Sequence, residues 1–209
     1  SNITLTGDSQ VRSRPVGELI SALNNLGSDA VCLLSNDRPP VRITRPMKGG
    51  STPLRALSSQ YLTSLLMCAP FAEGDSHIDL LELHEKPYVD MTLWWMNKLG
   101  LRYERDGWLR FSVPGGQSVK GFDATIPGDF SSATFFAAAA AVTGSRIVID
   151  GLDMSDTQGD KAALDVLAAM GAKVEAADGG VAVEGGNLTG GEFDLNNTPD
   201  ALPALAVAA

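Results

Sequence analysis

Residues 51–70 of this chain read STPLRALSSQYLTSLLMCAP. The alternating apolar positions of Thr52–Leu57 predict a β-strand, and the apolar spacing of Ser59–Ala69 predicts a helix that Pro70 ends. Between the two stands the polar cluster Ser58-Ser59-Gln60, where the predicted strand leads into the predicted helix. The stretch therefore predicts one strand-to-helix connection with three hydrogen-bonding side chains at the helix entrance.

Residues that mark the beginnings and ends of helices and the turns recur along the chain with a period of about 72 residues. Helix-ending pairs of an apolar residue and a glycine fall at Leu26-Gly27, Leu99-Gly100 and Met170-Gly171. Turn dipeptides follow each pair, at Asn36-Asp37, Asp106-Gly107 and Asp178-Gly179. Further polar clusters open apolar runs at Ser131-Ser132 and at Thr198-Pro199-Asp200. Three independent signals that share one period indicate a repeated structural unit.

Each complete repeat is predicted to be a βαβαββ unit, which places the chain in the α/β (α+β) class. The middle unit, residues 49–116, continues after Pro70 with the elements His77–Leu83, Val89–Leu99 and the hairpin strands Leu101–Arg105 and Trp108–Val113. The next unit, residues 119–188, is predicted to contain Asp123–Ile126, Ser132–Val142, Arg146–Asp150, Lys161–Met170, Lys173–Ala176 and Val181–Glu184.

The repeats at the two ends are predicted to be partial. Residues 1–48 hold only a strand, a helix and a hairpin, at Ile3–Thr6, Val16–Leu26, and Ala30–Leu34 with Val41–Thr44. Residues 189–209 supply a strand, Glu192–Leu195, and then the start of an apolar helix. We therefore expect an internal piece of a longer protein, with residues 1–118 in one domain and 119–209 in a second.

Charge and composition exclude some classes of function. The formal net charge of −9 disfavours a general nucleic-acid binder, which needs a basic face for the phosphates. It leaves small anionic ligands open, because a few local arginines can override an unfavourable overall field. No apolar run reaches the ~18 residues that span a membrane, and no secretory signal opens the sequence.

The cysteines and histidines argue against a metal site. Cys32 and Cys68 lack CxxC spacing and are predicted to be reduced thiols of the core, as expected in the cytoplasm. With only His77 and His84 and no spaced cluster, we predict no metal. The glycine pairs form neither a dinucleotide fingerprint nor a phosphate-binding P-loop.

Several polar residues at predicted helix entrances have both a structural and a functional interpretation. Arg12 and Arg14 precede Pro15, a good first helical residue, and either lie on a solvated loop or grip a carboxylate or phosphate. Ser58-Ser59-Gln60 is either an ordinary N-cap or an anion site. Asp200 either stabilises the helix dipole or acts as a general base. Asp129 and the Gln158-Gly159-Asp160 triplet are interpreted as helix caps.

At the level of longer motifs, the chain resembles the 5-enolpyruvylshikimate-3-phosphate synthase family. The matching segments occur in family order: Leu5-Thr6-Gly7-Asp8 to Arg14-Pro15, Ser58-Ser59-Gln60-Tyr61, Leu65-Leu66-Met67-Cys68-Ala69-Pro70, Lys86-Pro87-Tyr88-Val89-Asp90-Met91-Thr92-Leu93, Gly128-Asp129-Phe130-Ser131-Ser132-Ala133, Gln158-Gly159-Asp160, Met170-Gly171-Ala172 and Pro199-Asp200. The resemblance implies two domains of three βαβαββ units each, of which this chain would cover about half. A related enzyme with the same repeat, UDP-N-acetylglucosamine enolpyruvyl transferase, usually has a cysteine before its Arg-Pro motif, and Gly7–Ser13 contains none.

The resemblance also implies a reaction and its residues. Arg14 and Gln60 would contact phosphoenolpyruvate, while Ser58, Ser59 and Gln60 would bind shikimate 3-phosphate at its phosphate. Tyr88 would line the shikimate pocket, and Asp200 would bind there and act as the base toward the ring 5-hydroxyl. Addition to the enolpyruvyl carbon and loss of phosphate would complete the transfer, with no metal or organic cofactor. The full enzyme is expected to be a cytoplasmic monomer, and this chain alone is expected to be an inactive fragment that retains substrate-binding residues.

One position departs from the family pattern. Before Lys86-Pro87-Tyr88 the family usually has a serine that binds the substrate phosphate, whereas this chain has Glu85. A carboxylate beside a phosphate is repulsive unless it is protonated or turned away. This departure therefore weakens the phosphate contact that the resemblance implies at this position, and slightly the assignment of the substrate.

Overall fold

The computed structural model describes residues 2–209 and divides them into two compact units. The first unit contains the chain up to His84 together with Thr92–Gly121, and the second contains Glu85–Met91 together with Phe122–Ala209. The division predicted between residues 118 and 119 stays a prediction. Each unit is described by itself below.

The first unit begins with a small antiparallel sheet. Its elements are β1 (Ile3–Leu5), α1 (Ser9–Ser13), α2 (Gly17–Asn25), β2 (Asp29–Cys32) and β3 (Val41–Arg45). The strand order is β1-β3-β2, which confirms the predicted strand, helix and hairpin to within a few residues. Helix α1 was not predicted, and its N-cap is Asp8, whose carboxylate accepts the backbone N–H of Val11 at 2.9 Å and stabilises the helix start.

The middle repeat forms the second sheet of this unit. Its elements are β4 (Gly50–Ala56), α3 (Ser59–Cys68), β5 (Ser76–Leu83), α4 (Lys86–Lys98), β6 (Glu104–Asp106) and β7 (Arg110–Val113). The start of α4, up to Met91, belongs to the second unit. The order is β4-β5-β7-β6, with β4 parallel to β5 and the other pairs antiparallel. Fully buried leucines of α3 and alternate residues of the strands form the core, including Leu54, Leu62, Leu65, Ile78 and Phe111.

The second unit packs three helices and an antiparallel sheet. Its elements are α5 (Phe130–Thr143), β8 (Arg146–Asp150), α6 (Ala162–Met170), β9 (Lys173–Ala177), β10 (Gly180–Glu184) and α7 (Leu202–Ala208). Short 3-10 helices at Gly159–Lys161 and Pro199–Ala201 precede α6 and α7. The strand order is β8-β10-β9. Alanines of α5 bring the helices close together, so that Ala137 and Ala141 share one core with Leu167 and Leu205.

The recurring glycines have the backbone conformation that their repeat position requires. Gly27, Gly100 and Gly171 follow helices α2, α4 and α6 with φ of 87°, 69° and 113°. This left-handed region is open to glycine and costly for residues with a side chain, which explains why the helices end at these pairs.

Two predicted strands do not form among the described residues. Asp123–Ile126 and Glu192–Leu195 were predicted from their apolar patterns, but neither pairs with a strand. The hairpin at Asp106-Gly107 also differs, because Asp106 pairs with Arg110 and the loop therefore spans three residues, 107–109. An alternating pattern indicates which face a strand would bury, but a strand forms only where its backbone groups meet a hydrogen-bonding neighbour.

The two cysteines are free, but only one lies in the core. Cys32 is buried on β2, as predicted. Cys68 is exposed at the end of α3, so the prediction of a second core thiol is wrong. Cys68 and the neighbouring Met67 lie on the exposed face of the last turn of α3, while Leu65 and Leu66 in the same turn are buried.

Candidate active site

The start of α3 carries the polar cluster of the first unit. Strand β4, whose residues are alternately buried, ends two residues before Ser58. Ser58 has an extended backbone and is the N-cap of α3. Its hydroxyl accepts the backbone N–H of Gln60 at 3.3 Å. Ser59 is buried, Ser58 is partly exposed and Gln60 is exposed. The entrance to α3 therefore presents a hydroxyl and an amide near the positive end of the helix dipole.

A hydrogen bond brings the Arg14-Pro15 segment to the same helix. The Tyr61 hydroxyl donates to the Pro15 carbonyl at 2.5 Å. Arg14 directly precedes Pro15 in the sequence, and Gln60 directly precedes Tyr61. Arg14 itself is exposed at the end of α1. The first unit thus collects four of the candidate residues, Arg14, Ser58, Ser59 and Gln60, on segments that contact each other.

Pro15 is not the first residue of a helix, contrary to the prediction. Helix α2 begins at Gly17, and Val16 is its N-cap, with its N–H donating to the Asp37 carbonyl at 2.7 Å. The Pro15 carbonyl is engaged by Tyr61 and does not accept an intrahelical bond. The arginines therefore belong to a short helix and its end, and they do not precede a helix directly.

The entrance to α5 is closed by its own carboxylate. Asp129 accepts the backbone N–H groups of Ser131 and Ser132, both at 3.1 Å, and the hydroxyl of Ser132. Burial acts to raise the pKa of Asp129, but these hydrogen bonds outweigh it and the pKa is lowered. The cap predicted for Asp129 is confirmed. An external anion would meet a negative charge here, whereas the α3 entrance has a neutral cap.

In the second unit, Asp160 joins segments that are far apart in sequence. Its Oδ1 accepts the Tyr88 hydroxyl at 3.0 Å and the Thr198 hydroxyl at 2.8 Å. Asp160 is 4% exposed, so its carboxylate is a buried acceptor and not the helix cap predicted from sequence. No sequence signal indicated its partners, since Tyr88 lies 72 residues away and Thr198 lies 38.

The charges around Asp160 include that of Asp200. Burial raises the pKa of Asp160, hydrogen bonds from Thr198 and Tyr88 oppose this, and the charges of Asp200 and Asp129 raise it further. Burial also raises the pKa of Tyr88 strongly, followed by the effects of Asp160 and Asp200. The phenol therefore keeps its proton and donates a hydrogen bond to Asp160. Asp200 is exposed in the 3-10 turn that begins after Thr198.

Gln158 holds the neighbouring loop in place. Its Oε1 accepts the Phe130 N–H at 2.9 Å, and its Nε2 donates to the Gly128 carbonyl and to Asp156. The side chain is buried and does not cap the 3-10 helix that follows it. Gln158 thus joins the start of α5 to the turn that carries Asp160. The interpretation of Gln158 as a helix cap did not predict this link.

Glu85 has an unusual backbone conformation next to Tyr88. Its φ is 55°, in the left-handed region that residues with a side chain rarely adopt, and its carbonyl accepts the Tyr88 N–H at 3.1 Å. Its charge adds a small upward effect on the pKa of Tyr88. The negative charge of Glu85 thus acts on the Tyr88 phenol, and a carboxylate repels a phosphate that approaches it.

Metal sites and membrane-spanning helices are absent from residues 2–209. No group of three or more histidine, cysteine, aspartate or glutamate side chains in this range could hold a metal ion. None of the helices described there has both the length and the apolar character needed to cross a bilayer.

Comparison with known proteins gives one consistent result. The family model described as EPSP synthase (3-phosphoshikimate 1-carboxyvinyltransferase) matches residues 1–209. The 3-phosphoshikimate 1-carboxyvinyltransferase of Ruminiclostridium cellulolyticum is 48% identical over 204 residues, covering 98% of this chain and 48% of the relative. That of Acetivibrio thermocellus is 49% identical over 203 residues, covering 97% and 48%.

The solved structures agree. EPSP synthase from Acinetobacter baumannii matches with a TM-score of 0.73 and 26% identity over all of this chain and 49% of that chain. The chain spans about half the length of the curated relatives it matches. The match of the family model to every residue, together with relatives close to 50% identical, shows that this chain belongs to the EPSP synthase (3-phosphoshikimate 1-carboxyvinyltransferase) family.

Proposed function

We propose that the natural protein containing these residues transfers the enolpyruvyl group of phosphoenolpyruvate to the 5-hydroxyl of shikimate 3-phosphate and releases phosphate. The observation that carries this proposal is the family match over residues 1–209. The cysteine-free Gly7–Ser13 segment favours shikimate 3-phosphate over UDP-N-acetylglucosamine as the acceptor. The family resemblance requires no metal or organic cofactor.

The entrance of α3 is proposed to bind the phosphate of shikimate 3-phosphate. Ser58 and Ser59 supply hydroxyls, and Gln60 supplies an amide, at the positive end of a ten-residue helix. The neutral cap by Ser58, at 3.3 Å, leaves this entrance without the carboxylate that closes α5. Ser58 can therefore exchange its bond to the Gln60 N–H for a bond to a phosphate oxygen.

Phosphoenolpyruvate is proposed to contact Arg14 and Gln60. A guanidinium can hold a carboxylate or phosphate through two parallel N–H bonds, and the exposed side chain of Arg14 is accessible for this. The Tyr61–Pro15 bond holds the Arg14 backbone against the helix that carries Gln60. This contact supports a shared role for the two residues.

Asp200 is proposed to act as the base. In the transfer, the 5-hydroxyl loses its proton as its oxygen bonds to the C2 carbon of phosphoenolpyruvate, whose methylene carbon takes up a proton. The resulting tetrahedral intermediate expels phosphate and loses a methyl proton to form the enolpyruvyl ether. An exposed carboxylate in the first turn of a 3-10 helix can accept the hydroxyl proton.

Tyr88 is proposed to line the shikimate pocket with its ring. Its hydroxyl proton is directed at Asp160, so the proposed contact with the ligand is through the ring. A donor bond from Tyr88 to an anionic substrate is therefore not part of the proposal. We also propose a cytoplasmic location, which the two free cysteines support.

A phosphate-release assay on the purified natural protein tests the function. With phosphoenolpyruvate and shikimate 3-phosphate together, we expect stoichiometric phosphate and an enolpyruvyl ether detectable by mass spectrometry. UDP-N-acetylglucosamine in place of shikimate 3-phosphate should give neither product. Phosphate release without ether, or transfer only to the nucleotide sugar, would refute the proposal.

A further inference from the structure

The second unit contains a buried junction that no proposed role explains. Three segments meet at the Asp160 carboxylate: the turn Gly159–Lys161, the start of α4 at Tyr88, and Thr198. Both hydroxyls donate to the same oxygen, Oδ1. Burying a carboxylate costs free energy unless hydrogen bonds compensate for the lost hydration. The two hydroxyls supply such bonds, and the burial of Asp160 between them therefore indicates a specific role.

Thr198 connects the junction to the turn that carries Asp200. It is 3% exposed and precedes the 3-10 helix Pro199–Ala201 as its N-cap. Its N–H donates to the Leu195 carbonyl at 3.0 Å, and its carbonyl accepts the Ala201 N–H at 3.2 Å. The backbone of the turn is thus fixed at Thr198, and the hydroxyl bond to Asp160 fixes Thr198 itself.

Gly159 allows the close approach on which the junction depends. A Cβ atom at this position would lie 2.4 Å from the Cβ of Pro87 and 3.2 Å from the Asn197 carbonyl oxygen. The residues before Tyr88 and before Thr198 therefore both pack directly on the Gly159 backbone. The Pro87–Tyr88 and Asn197–Thr198 segments thus pack on the Gly159 backbone, which has no side chain to obstruct them, and are hydrogen-bonded to the Asp160 carboxylate.

From this arrangement we infer that Asp160 is a positioning residue, which orients the Asp200 turn through Thr198 and the Tyr88 ring through its hydroxyl. The inference rests on the proposed function, because it assigns Asp200 and Tyr88 their roles in the transfer. Asp160 contacts no reacting atom in this account, and it acts only as a hydrogen-bond acceptor. Burial and the charge of Asp200 raise the pKa of Asp160, while the hydrogen bonds from Thr198 and Tyr88 act to lower it.

A role as acceptor makes a different prediction from a role as a charge or a base. Asp160→Asn keeps an oxygen of the same reach and removes the charge, whereas Thr198→Val keeps the shape of the threonine and removes the donor. If Asp160 positions Asp200, Thr198→Val should lower kcat about 10- to 100-fold, since a displacement of about 1 Å can have that effect. KM for shikimate 3-phosphate should change less than about threefold, because the phosphate-binding residues are untouched.

The experiment measures kcat and KM in the natural protein for the wild type, Thr198→Val, Asp160→Asn and Asp160→Ala. Asp165→Ala is the matched control, an exposed aspartate on the following helix. We expect Asp160→Asn to retain kcat within about threefold, and the double variant Asp160→Ala with Thr198→Val to be no worse than Asp160→Ala alone. Because Asp160→Ala leaves two hydroxyls without their acceptor and also lowers stability, the decision rests on Thr198→Val and Asp160→Asn.

The possible results distinguish the positioning role of Asp160 from the proposed function. An active wild type with unchanged kcat in Thr198→Val would overturn the positioning role and leave the proposed function standing. A loss of kcat in Asp160→Asn as large as that in Thr198→Val would also overturn it, since the charge and not the acceptor would then be required. An inactive wild type would refute the proposed function, and the role of Asp160 in this reaction with it.

Discussion

Three aspartates show how environment assigns different tasks to one side chain. Asp129 is hydrogen-bonded to helix N–H groups, and its pKa is lowered. Asp160 is buried under two hydroxyls, and its pKa is raised. Asp200 is exposed and lies near enough to affect the pKa of both Tyr88 and Asp160. Of the three, Asp200 is exposed and is neither the N-cap of α5 nor the buried acceptor of two hydroxyls, which supports its selection as the base.

The first prediction concerns the serines at the α3 entrance. In the natural protein, Ser58→Ala with Ser59→Ala should weaken binding of shikimate 3-phosphate by about 1–3 kcal/mol for each charged hydrogen bond lost. Calorimetric titration measures this. Ser131→Ala, in the first turn of α5, is the control and should leave the affinity unchanged, because Asp129 closes that entrance. Unaltered affinity in the double variant would reduce the two serines to ordinary residues of a helix start.

The second prediction concerns Asp200. Asp200→Asn preserves the shape of the side chain, so substrate binding should persist while kcat falls by ~10²–10⁴, the range for loss of a general base. Steady-state kinetics between pH 6 and 8 would measure it. Asp194→Asn, an exposed aspartate on the same connecting segment, should keep normal turnover, since an asparagine can still accept the Asn196 N–H. Near-normal kcat for Asp200→Asn across this range would exclude the base role.

At the scale of elements, the third prediction concerns the N-cap of α5. Asp129→Ala should lower the free energy of unfolding by about 1 kcal/mol, because two backbone N–H groups lose their acceptor. The pKa of Asp129 is lowered in the folded protein, so the cap contributes fully above the ordinary aspartate pKa and is lost as the pH falls through the lowered value. The gap in stability between wild type and variant should therefore close in acid. Thermal unfolding at several pH values checks this, and a gap that widens in acid would contradict it.

Most helices and strands were predictable because glycine pairs and turn dipeptides mark their ends at regular intervals. The pairs ending in Gly27, Gly100 and Gly171 marked helix ends because positive φ at these positions calls for glycine. Asp178-Gly179 likewise marked a two-residue turn, with Ala177 paired to Gly180. Pattern alone failed for Asp123–Ile126 and Glu192–Leu195, since pairing depends on neighbours that a local sequence does not reveal.

The candidate site was less predictable than the fold. Short polar clusters at helix entrances identified Ser58 and Asp129 as caps, because capping is a local interaction. The junction at Asp160 is not local, since its carboxylate joins residues 38 and 72 positions away. Sequence spacing therefore gave no reason to distinguish Asp160 from the caps around it. The roles assigned to Arg14, Ser59, Gln60, Tyr88 and Asp200 stay predictions until the variants are measured.

At the scale of the whole molecule, charge sets a requirement that these residues meet only in part. Phosphoenolpyruvate and shikimate 3-phosphate each bring a carboxylate and a phosphate, and anions that leave water need cationic or hydrogen-bonding partners. Among the proposed substrate contacts Arg14 is the only cation, and the chain carries a net charge of −9. The chain also spans about half the length of its curated relatives. Further cationic partners from the natural protein are therefore part of the proposal.

The fourth prediction follows from this balance: residues 1–209 alone should release no phosphate from the two substrates, whereas the natural protein should. With one proposed cation for four anionic groups, the isolated chain cannot compensate the charge that the substrates bring together. The assay needs a cooperative thermal transition as a control, so that inactivity of a folded chain is distinguished from failure to fold. Host enzyme must also be removed, which a parallel preparation of Asp200→Asn would verify. Turnover by the folded chain within about tenfold of the natural protein would show that Arg14 and the uncharged groups at the α3 entrance suffice, and the requirement for further cations would be withdrawn.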